Sequence, residues 1–473
     1  MNTDLIYIMR HEFVLAFVAV LILITDIFTR PDKKKKIRTM SIVLFAVVTA
    51  VGFVPAKTGV LFGGMYESDG IRLMMKNILN IGVLLIFIQS HNWLGHTDYK
   101  EKISEFYVIT LFTLMGMNFL ISSGDFLMFY IGIELATIPI ASLAAYDKIR
   151  NKSAEAGIKL ILSSALSSGI MLWGISMIYG TTGSVYFSDI TAQMGNNSLQ
   201  VLAFIFIFAG IAFKISLVPF HLWAADVYEG SPVTVTSYLS VISKGAAVFI
   251  FTIVLYTVFR SIAYLWKDVI YITAILTMTI GNLFAIRQKN LKRFLAFSSI
   301  SQAGYILLGV ISGTQLGMTS VVYYILVYIF SNLGAFGVIS VVSAMTGKES
   351  MDDYDGMYKT NPGLSLIMTL SLFSLAGIPP VAGFFGKFFL FTAAAQQGYY
   401  ILVIIAVLNT IISLYYYLLI VKAMFINSNE QPISTFKSDF YTKLGLLICV
   451  AGIVMTGFAS MIFEYIRTLS FGL

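Results

Sequence analysis

The chain has 473 residues, 58% of them hydrophobic and only 12% charged, with a formal charge of +7 at neutral pH, and its mean hydropathy is +0.85. Soluble domains carry about 25% charged residues, so the composition excludes a soluble globular fold and points to an integral membrane protein. The basic residues sit in short loops, a topological signal that excludes nucleic acid as the partner, and the single Cys449 excludes an internal disulfide or a cysteine-built cluster.

Apolar segments of spanning length fall near 12–28, 39–55, 72–90, 104–122, 124–146, 154–180 and 201–224. Seven more fall near 233–259, 267–287, 291–312, 316–345, 362–396, 399–426 and 439–465. The reading is an all-α integral membrane protein of about fourteen transmembrane helices. The first segment is not read as a cleaved signal, because its strongest basic cluster, Lys33 to Lys36, follows the apolar run. With alternating sides, one set of loops holds twenty Lys and Arg, in runs 30–38, 99–102, 147–152 and 287–293 and at Lys348, Lys359, Lys422, Lys437 and Lys443. The other side holds seven: Arg10, Lys57, Arg72, Lys76, Arg260, Lys267 and Arg467. The first set is expected to face the cytoplasm and both termini the outside.

Segments four to eight and nine to thirteen form two groups of five. An odd number of crossings inverts the second copy, and inverted repeats with broken helices are a transporter architecture. The expected units are 1–103 (three helices), 104–262 and 263–428 (the two repeats, each a proton half-channel) and 429–473 (the last helix). Each repeat has a proline-interrupted helix with an inner lysine: Lys214 with Pro219, and Lys387 after Pro379 and Pro380.

Four lysines lie inside predicted helices: Lys159, Lys214, Lys244 and Lys387. A charge at the centre of a spanning helix costs about 2.5–3.5 kcal/mol on insertion scales, so such residues point to function. Pro219 lacks an N–H and displaces the carbonyl of Ile215, beside Lys214; Pro379 and Pro380 free those of Leu375 and Ala376, and Gly383 and Gly386 loosen the turn before Lys387. Exposed backbone at this depth is tolerated only in buried or hydrated places, so the breaks imply cavities at mid-membrane; the alternative is a kinked packing helix. Glu134, in FYIGIELATIP, is the acid well inside a predicted helix and the expected partner of a buried lysine. Pairing holds a lysine charged while desolvation opposes it, so a Glu/Lys pair would relay a proton without a cofactor; the alternative is a static ion pair. His221 lies seven residues after Lys214 and would share its face, about 10 Å away, on an unbroken helix; it titrates near neutral pH, or else is an interfacial histidine. Lys244 would continue the route. Lys159, near its helix start, would join it or snorkel to the surface. Asp125 and Glu105 are expected to be solvated, and His11, His91 and His96 have no metal-pairing spacing. No GxGxxG, P-loop or CxxC is present, so the driving energy must come from partner subunits or an ion gradient.

The run FKISLVPFHLWAADVYEGSPVTVTSYLSVISKGAA (213–247) resembles the central signature of the proton-translocating, antiporter-like membrane subunits of respiratory complex I, the NADH-quinone oxidoreductases. NLKRFLAFSSISQAGYILLG (290–309) and SLAGIPPVAGFFGKFFLF (374–391) resemble the next two family blocks. The likeness covers nearly the whole chain, and DVYEGSP followed by SYLSVISKGAA is most similar to the N-type members. The resemblance implies fourteen helices, with helices seven and twelve broken, and a polar row along the mid-membrane plane. It matches Glu134 to the family glutamate of helix five, Lys214 and Lys244 to the lysines of helices seven and eight, and Lys387 to the ionisable position of helix twelve. Lys159 and His221 also fall on polar positions. Ala225 departs from the family, which often has proline there. The resemblance further implies a hetero-oligomer in a bacterial plasma (inner) membrane, with M-, L-, K-, J-, A- and H-type subunits and lipid as neighbours. No cofactor is expected on this chain; NADH, FMN, iron–sulfur clusters and quinone would belong to partners. The rival readings are a subunit of a sodium/proton antiporter complex and a structural scaffold.

Overall fold

The structure is a computed structural model and describes residues 3–30, 33–95, 102–195 and 197–473. His96 and the loop residues Pro31, Asp32, Tyr99, Lys100 and Glu101 lie outside the described residues. Helices dominate because a bilayer core offers no water to backbone N–H and C=O groups, and a helix satisfies them internally. The first three passes are α1 (Arg10–Phe28), α2 (Lys35–Gly52) and α3 (Gly70–Trp93). The first group of five comprises α4 (Ile103–Ile121), α5 (Phe126–Ala144), α6 (Asn151–Thr182), a broken α7 (α7a Ser198–Ile215, α7b Leu222–Gly230) and α8 (Val233–Tyr256). The second comprises α9 (Ala263–Ile286), α10 (Leu291–Ser312), α11 (Gln315–Thr346), a broken α12 (α12a Pro362–Ala376, α12b Ala382–Gln396) and α13 (Tyr400–Phe425). Then come α14 (Phe440–Phe458) and the short α15 (Ser460–Leu469), whose apolar face packs on α11 and α3.

Among the described residues, twelve helices are long and apolar enough to cross a membrane; α2 and the broken α12 supply the remaining passes of the fourteen expected. In both groups the fourth helix is the broken one. Passes seven and twelve run in opposite directions, so Lys214 in α7a and Lys387 in α12b occupy the half-helices nearer the same side. Helices α10 and α11 are buried all round and form the centre. Outer helices such as α1 and α13 show Leu, Ile and Phe on one face, as lipid or a partner requires.

Close seams depend on small residues. A Cβ at Gly116 of α4 would lie 2.4 Å from the Ala136 nitrogen of α5, and one at Gly132 of α5 would lie 2.6 Å from the Leu120 nitrogen of α4. Between α2 and α3, strands β1 (Gly59–Leu61) and β2 (Tyr66–Ser68) pair antiparallel. This hairpin is tied over the α4–α5 junction by Glu67 N–H to Ser122 O at 2.8 Å and Gly124 N–H to Met65 O at 2.9 Å.

Candidate functional site

Helix α7 is interrupted between Ile215 and Leu222. Helix α7a ends at Ile215; Ser216 takes a left-handed conformation (φ 64°), and the Leu217 amide turns back to Ala212 O at 2.8 Å. The next donor leaves the helix altogether: Val218 N–H bonds Thr277 Oγ1 of α9 at 3.1 Å. Trp223 of α7b donates its indole N–H to Phe213 O at 3.0 Å, which pins the two half-helices to each other. Lys214, one residue before the end of α7a, lines a small cavity with Met117 and Leu120 of α4, Ile133 and Ala136 of α5, and Ser243 and Ala247 of α8. Glu134 sits between Ile133 and Ala136 on the same stretch of α5. The two charges make no contact ion pair among the described residues, and Glu134 Oε1 is buried without a partner. Buried polar atoms of this kind are normally satisfied by water, so water is the natural bridge. His221 is the residue before α7b, beyond the break, so it shares no continuous helix face with Lys214; its Nδ1 is also buried without a partner.

Helix α8 is deformed just ahead of its lysine. Residues Leu239–Ser243 form a π turn, a local widening that recurs at functional sites. Within it, Ser240 donates to Asn332 Oδ1 of α11 at 2.8 Å, and Asn332 Nδ2 donates to Tyr328 Oη at 2.8 Å. Lys244, 5% exposed, donates to Ser299 Oγ of α10 at 2.5 Å and faces the Tyr228 ring at 5.4 Å.

At the break in α12 the backbone accounting closes on side chains. Phe373 and Ser374 carbonyls accept from Gly377 and Ile378 amides. Leu375 O accepts from Gln302 Nε2 of α10 at 3.0 Å, and Ala376 O accepts from Lys387 Nζ at 3.0 Å. These two carbonyls are the ones that Pro379 and Pro380 leave without amide partners. Lys387 is 3% exposed and stands over the Tyr305 ring at 4.5 Å. Gln302 Nε2 also donates to Tyr417 Oη at 3.2 Å, Tyr417 shares a 2.5 Å hydrogen bond with Ser298 Oγ, and Tyr324 donates to Gln302 Oε1. Ser298 adjoins Ser299. Two polar groups therefore lie side by side on α10: Ser299 with Lys244, and Ser298 with Tyr417 and Gln302, which reaches the broken end of α12a where Lys387 is bound; Ser298 and Ser299 are consecutive in the helix and do not face each other. Gly383 lies at the same junction, its N–H on Ser374 Oγ at 3.1 Å, and Gly386 packs against the Tyr324 ring.

Lys159 lies elsewhere. It is 42% exposed and bonds Glu155 Oε1 at 2.6 Å and Asp226 Oδ2 at 2.8 Å. Asp226 also takes Arg293 of α10 at 2.6 Å, while Glu229 takes Lys152 at 3.0 Å and Arg293 at 3.2 Å. Asp125, expected to be solvated, is fully buried: it caps α5 by accepting Met128 N–H at 2.8 Å, and burial pushes its carboxyl above the usual range. Glu105 is exposed. His91 pairs with Asp439 at 3.5 Å and stacks on Tyr441. Among the described residues, no three or more His, Cys, Asp or Glu side chains are grouped to hold a metal ion.

A family model described as "NADH:quinone oxidoreductase/Mrp antiporter, TM" matches residues 123–413. The chain is 53% identical to the NADH-quinone oxidoreductase subunit N of Phocaeicola vulgatus, over 98% of both chains. It is 51% identical to that of Azobacteroides pseudotrichonymphae, over 98% of this chain and 97% of the other. The chain belongs to the subunit N family of NADH-quinone oxidoreductases. A chain of the respiratory complex I from Thermus thermophilus solved with bound aureothin matches at a TM-score of 0.78 with 25% identity, over 96% of this chain and 98% of that one. A chain of the Mrp complex from Dietzia matches at 0.84 with 20% identity, over 99% and 97%, a likeness of fold alone.

Two features of this subunit N chain escaped the reading of the sequence. The hydroxyl and amide file of α10 and α13 consists of Ser, Gln and Tyr, types that are common in membrane helices; the only signal is Ser298 and Gln302 at helical i, i+4 spacing. The second is a buried ion pair, Lys76 Nζ to Glu12 Oε1 at 2.6 Å, with exposures of 0% and 3%. The segment boundaries set Glu12 at the edge of the first apolar run and counted Lys76 with the loops. Both are in fact buried, Glu12 in the first turn of α1 and Lys76 well into α3. Their signal was the stripe Arg72, Lys76, Asn80 at four-residue spacing.

Proposed function

We propose that this chain moves protons through the membrane along its own buried lysines, with Glu134 modulating Lys214, and with charge passing by His221 and water to Lys244 and on to Lys387. The chain is a proton-translocating membrane subunit of NADH-quinone oxidoreductase, a translocase complex. What supports the relay is the pair of polar groups on α10 between the two buried lysines, Ser299 with Lys244 and Ser298 with Tyr417 and Gln302 beside Lys387, which water bridging Ser299 and Ser298 would join into one run. Hydroxyls both accept and donate, so Ser299, Ser298 and Tyr417 can pass a proton. Gln302 and Tyr324 would hold Tyr417 in position. Lys244 and Lys387 each have an acceptor in place, Ser299 Oγ and Ala376 O.

In this reading 104–262 and 263–428 act as two half-channels, 1–103 and 429–473 as flanking helices, and Lys159 as part of an ionic cluster beside α7b and not as a mid-membrane carrier. The basic loops face the cytoplasm of a bacterium whose inner membrane holds the protein, and both termini face outward. NADH, FMN, iron–sulfur clusters and quinone sit in partner subunits, and other membrane subunits flank this one in a hetero-oligomer.

The test is Lys214→Ala in membranes where a native gel confirms assembly, with NADH-driven quinone reduction and the proton gradient recorded together. The relay predicts loss of both, by tenfold or more. Full activity and an undiminished gradient would overturn it.

A further inference from the structure

The ion pair between α1 and α3 lies outside the two five-helix groups and outside the relay. Glu12 Oε1 takes Lys76 Nζ at 2.6 Å, Tyr66 donates to Glu12 Oε2 at 2.9 Å, and Lys76 also reaches Tyr66 Oη at 2.9 Å. One turn toward the outer surface, Arg72 (7% exposed) bonds Glu67, Asp69 and Ile121 O, and those two carboxylates are 37% and 43% exposed. One turn inward, Asn80 is completely buried, and neither its amide nitrogen nor its oxygen has a partner. Arg72, Lys76 and Asn80 thus form one stripe on α3, in steps of about 6 Å, from water toward mid-membrane.

Helix α4 faces this stripe. Arg72 lies level with Ile121, and Phe87 with Tyr107 at 4.7 Å between rings; on this antiparallel pair Lys76 is therefore level with Asn118 and Asn80 with Leu114. Asn118 is also fully buried with both amide atoms unpartnered. Its near neighbour Ser122 and Ser68 of the hairpin carry unpartnered buried hydroxyls as well. Within a turn of the level of Asn80, Thr113 bonds Tyr238 Oη of α8 at 2.6 Å. Met75 and Leu79, the neighbours of Lys76 and Asn80, approach Gly245, next to Lys244.

Two asparagines with every amide atom orphaned cost about 1–3 kcal/mol per group if the site is dry. A packed core would have replaced them with leucine. Buried polar atoms that no protein group satisfies are normally satisfied by water.

We propose that this stripe is a hydrated proton lane of the first group, opening at Arg72 on the outer face and running through the Glu12–Lys76–Tyr66 cluster, Asn80 and Asn118 to the Thr113–Tyr238 pair of α8. It rests on the proton-carrying reading above. A proton arriving on water binds the Glu12 carboxylate; Lys76 then releases one to water on its other side, and Glu12 passes its proton across the 2.6 Å contact to Lys76. One proton enters, one leaves, and the pair returns to carboxylate and ammonium. His11, 3.0 Å from Asn77 on the neighbouring face, is the other titratable group of the cluster.

The test is Asn80→Leu and Asn118→Leu, beside Asn80→Ser and Lys244→Ala, in the assembled complex, reading the initial rate of NADH-driven gradient formation per complex. Leucine removes water but no protein hydrogen bond, so the lane predicts at least a threefold fall with no loss of thermal stability. Asn80→Ser, which leaves room for water, should stay within twofold of the parent. A parental rate in the leucine variants with a fall in Lys244→Ala overturns the lane alone. Equal falls in Asn80→Ser and Asn80→Leu mean packing, and overturn it too. So does failure of both leucine variants to assemble, since the amides would then hold the fold. No fall in any of the four overturns the proton-carrying reading itself.

Discussion

Gln302 joins three elements, α11, α12 and α13, to α10. It holds the Leu375 carbonyl, Tyr417 and Tyr324 at once, from a site with no exposure. In Gln302→Leu the Leu375 carbonyl and the Tyr324 hydroxyl lose their partner together, at about 1–3 kcal/mol each before relaxation, while Tyr417 keeps only Ser298. We expect coupled NADH oxidation to fall at least tenfold while the complex still assembles on a native gel; Ser365→Ala, a hydroxyl away from this file that bonds only its own helix backbone, should leave turnover within twofold. The pair of Lys76 and Glu12 gives a second contrast. Lys76→Met leaves a buried carboxylate alone, an uncompensated charge that costs about 3–5 kcal/mol. Adding Glu12→Gln removes that charge and should recover most of the loss. Thermal unfolding of the purified protein in detergent, run as a double-mutant cycle, reads the coupling directly; additive effects would mean the two groups do not interact. Lys214, Lys244 and Lys387 were legible from the sequence because a charge in an apolar run stands out. Serine, glutamine and tyrosine do not, which is why the polar groups between Lys244 and Lys387 emerged only when α10, α12 and α13 were brought together.

At the scale of elements, the breaks were legible and their construction was not. Pro219, Pro379 and Pro380 announce an interruption, but α7a stops at Ile215 on a left-handed Ser216, and its loose donors go to Thr277 and, through Trp223, back to Phe213. Such partners come from distant sequence, so no local pattern reports them. The π turn before Lys244 is likewise silent in the sequence, since Leu239–Ser243 has ordinary helix-forming character. Where the two halves of α12 meet, glycine is required for room. A Cβ at Gly383 would lie 1.7 Å from the Ser374 carbonyl oxygen, with backbone on both sides. Gly383→Ala must therefore push α12b off α12a and pull Lys387 from Ala376. We expect the subunit to be lost from the assembled complex, or to assemble with an unfolding temperature several degrees lower. Gly363→Ala, where a Cβ meets nothing within 4 Å, is the matched control and should behave as the parent.

At the scale of the molecule, the two five-helix groups are joined at one end through α7b. Asp226 and Glu229 on that half-helix are each shared between a lysine of α6 in the first group and Arg293 of α10 in the second. The sequence showed Lys159 as a candidate carrier because it lies inside an apolar run; only the packing of α6 against α7b shows two carboxylates waiting for it. The network is partly exposed, Arg293 at 32% and Asp226 at 37%, so its worth in stability is that of surface pairs, about 0–1 kcal/mol. Its mechanical place is different, because Arg293 is the member that reaches across. Arg293→Gln leaves Lys159 on Asp226 and Lys152 on Glu229 but cuts the ionic tie from these carboxylates to α10, with the Lys292 bond to Ser231 O at the end of α7b kept. Lys152→Gln removes one exposed pair within the first group and keeps the tie. If movement of α7b carries the coupling between half-channels, Arg293→Gln lowers the proton gradient per NADH oxidised by at least twofold at nearly unchanged unfolding temperature, and Lys152→Gln does not. Equal gradients in the two variants would mean that the groups communicate only through the buried file of α10, and that the ionic cluster is no more than the solvated rim of the bundle.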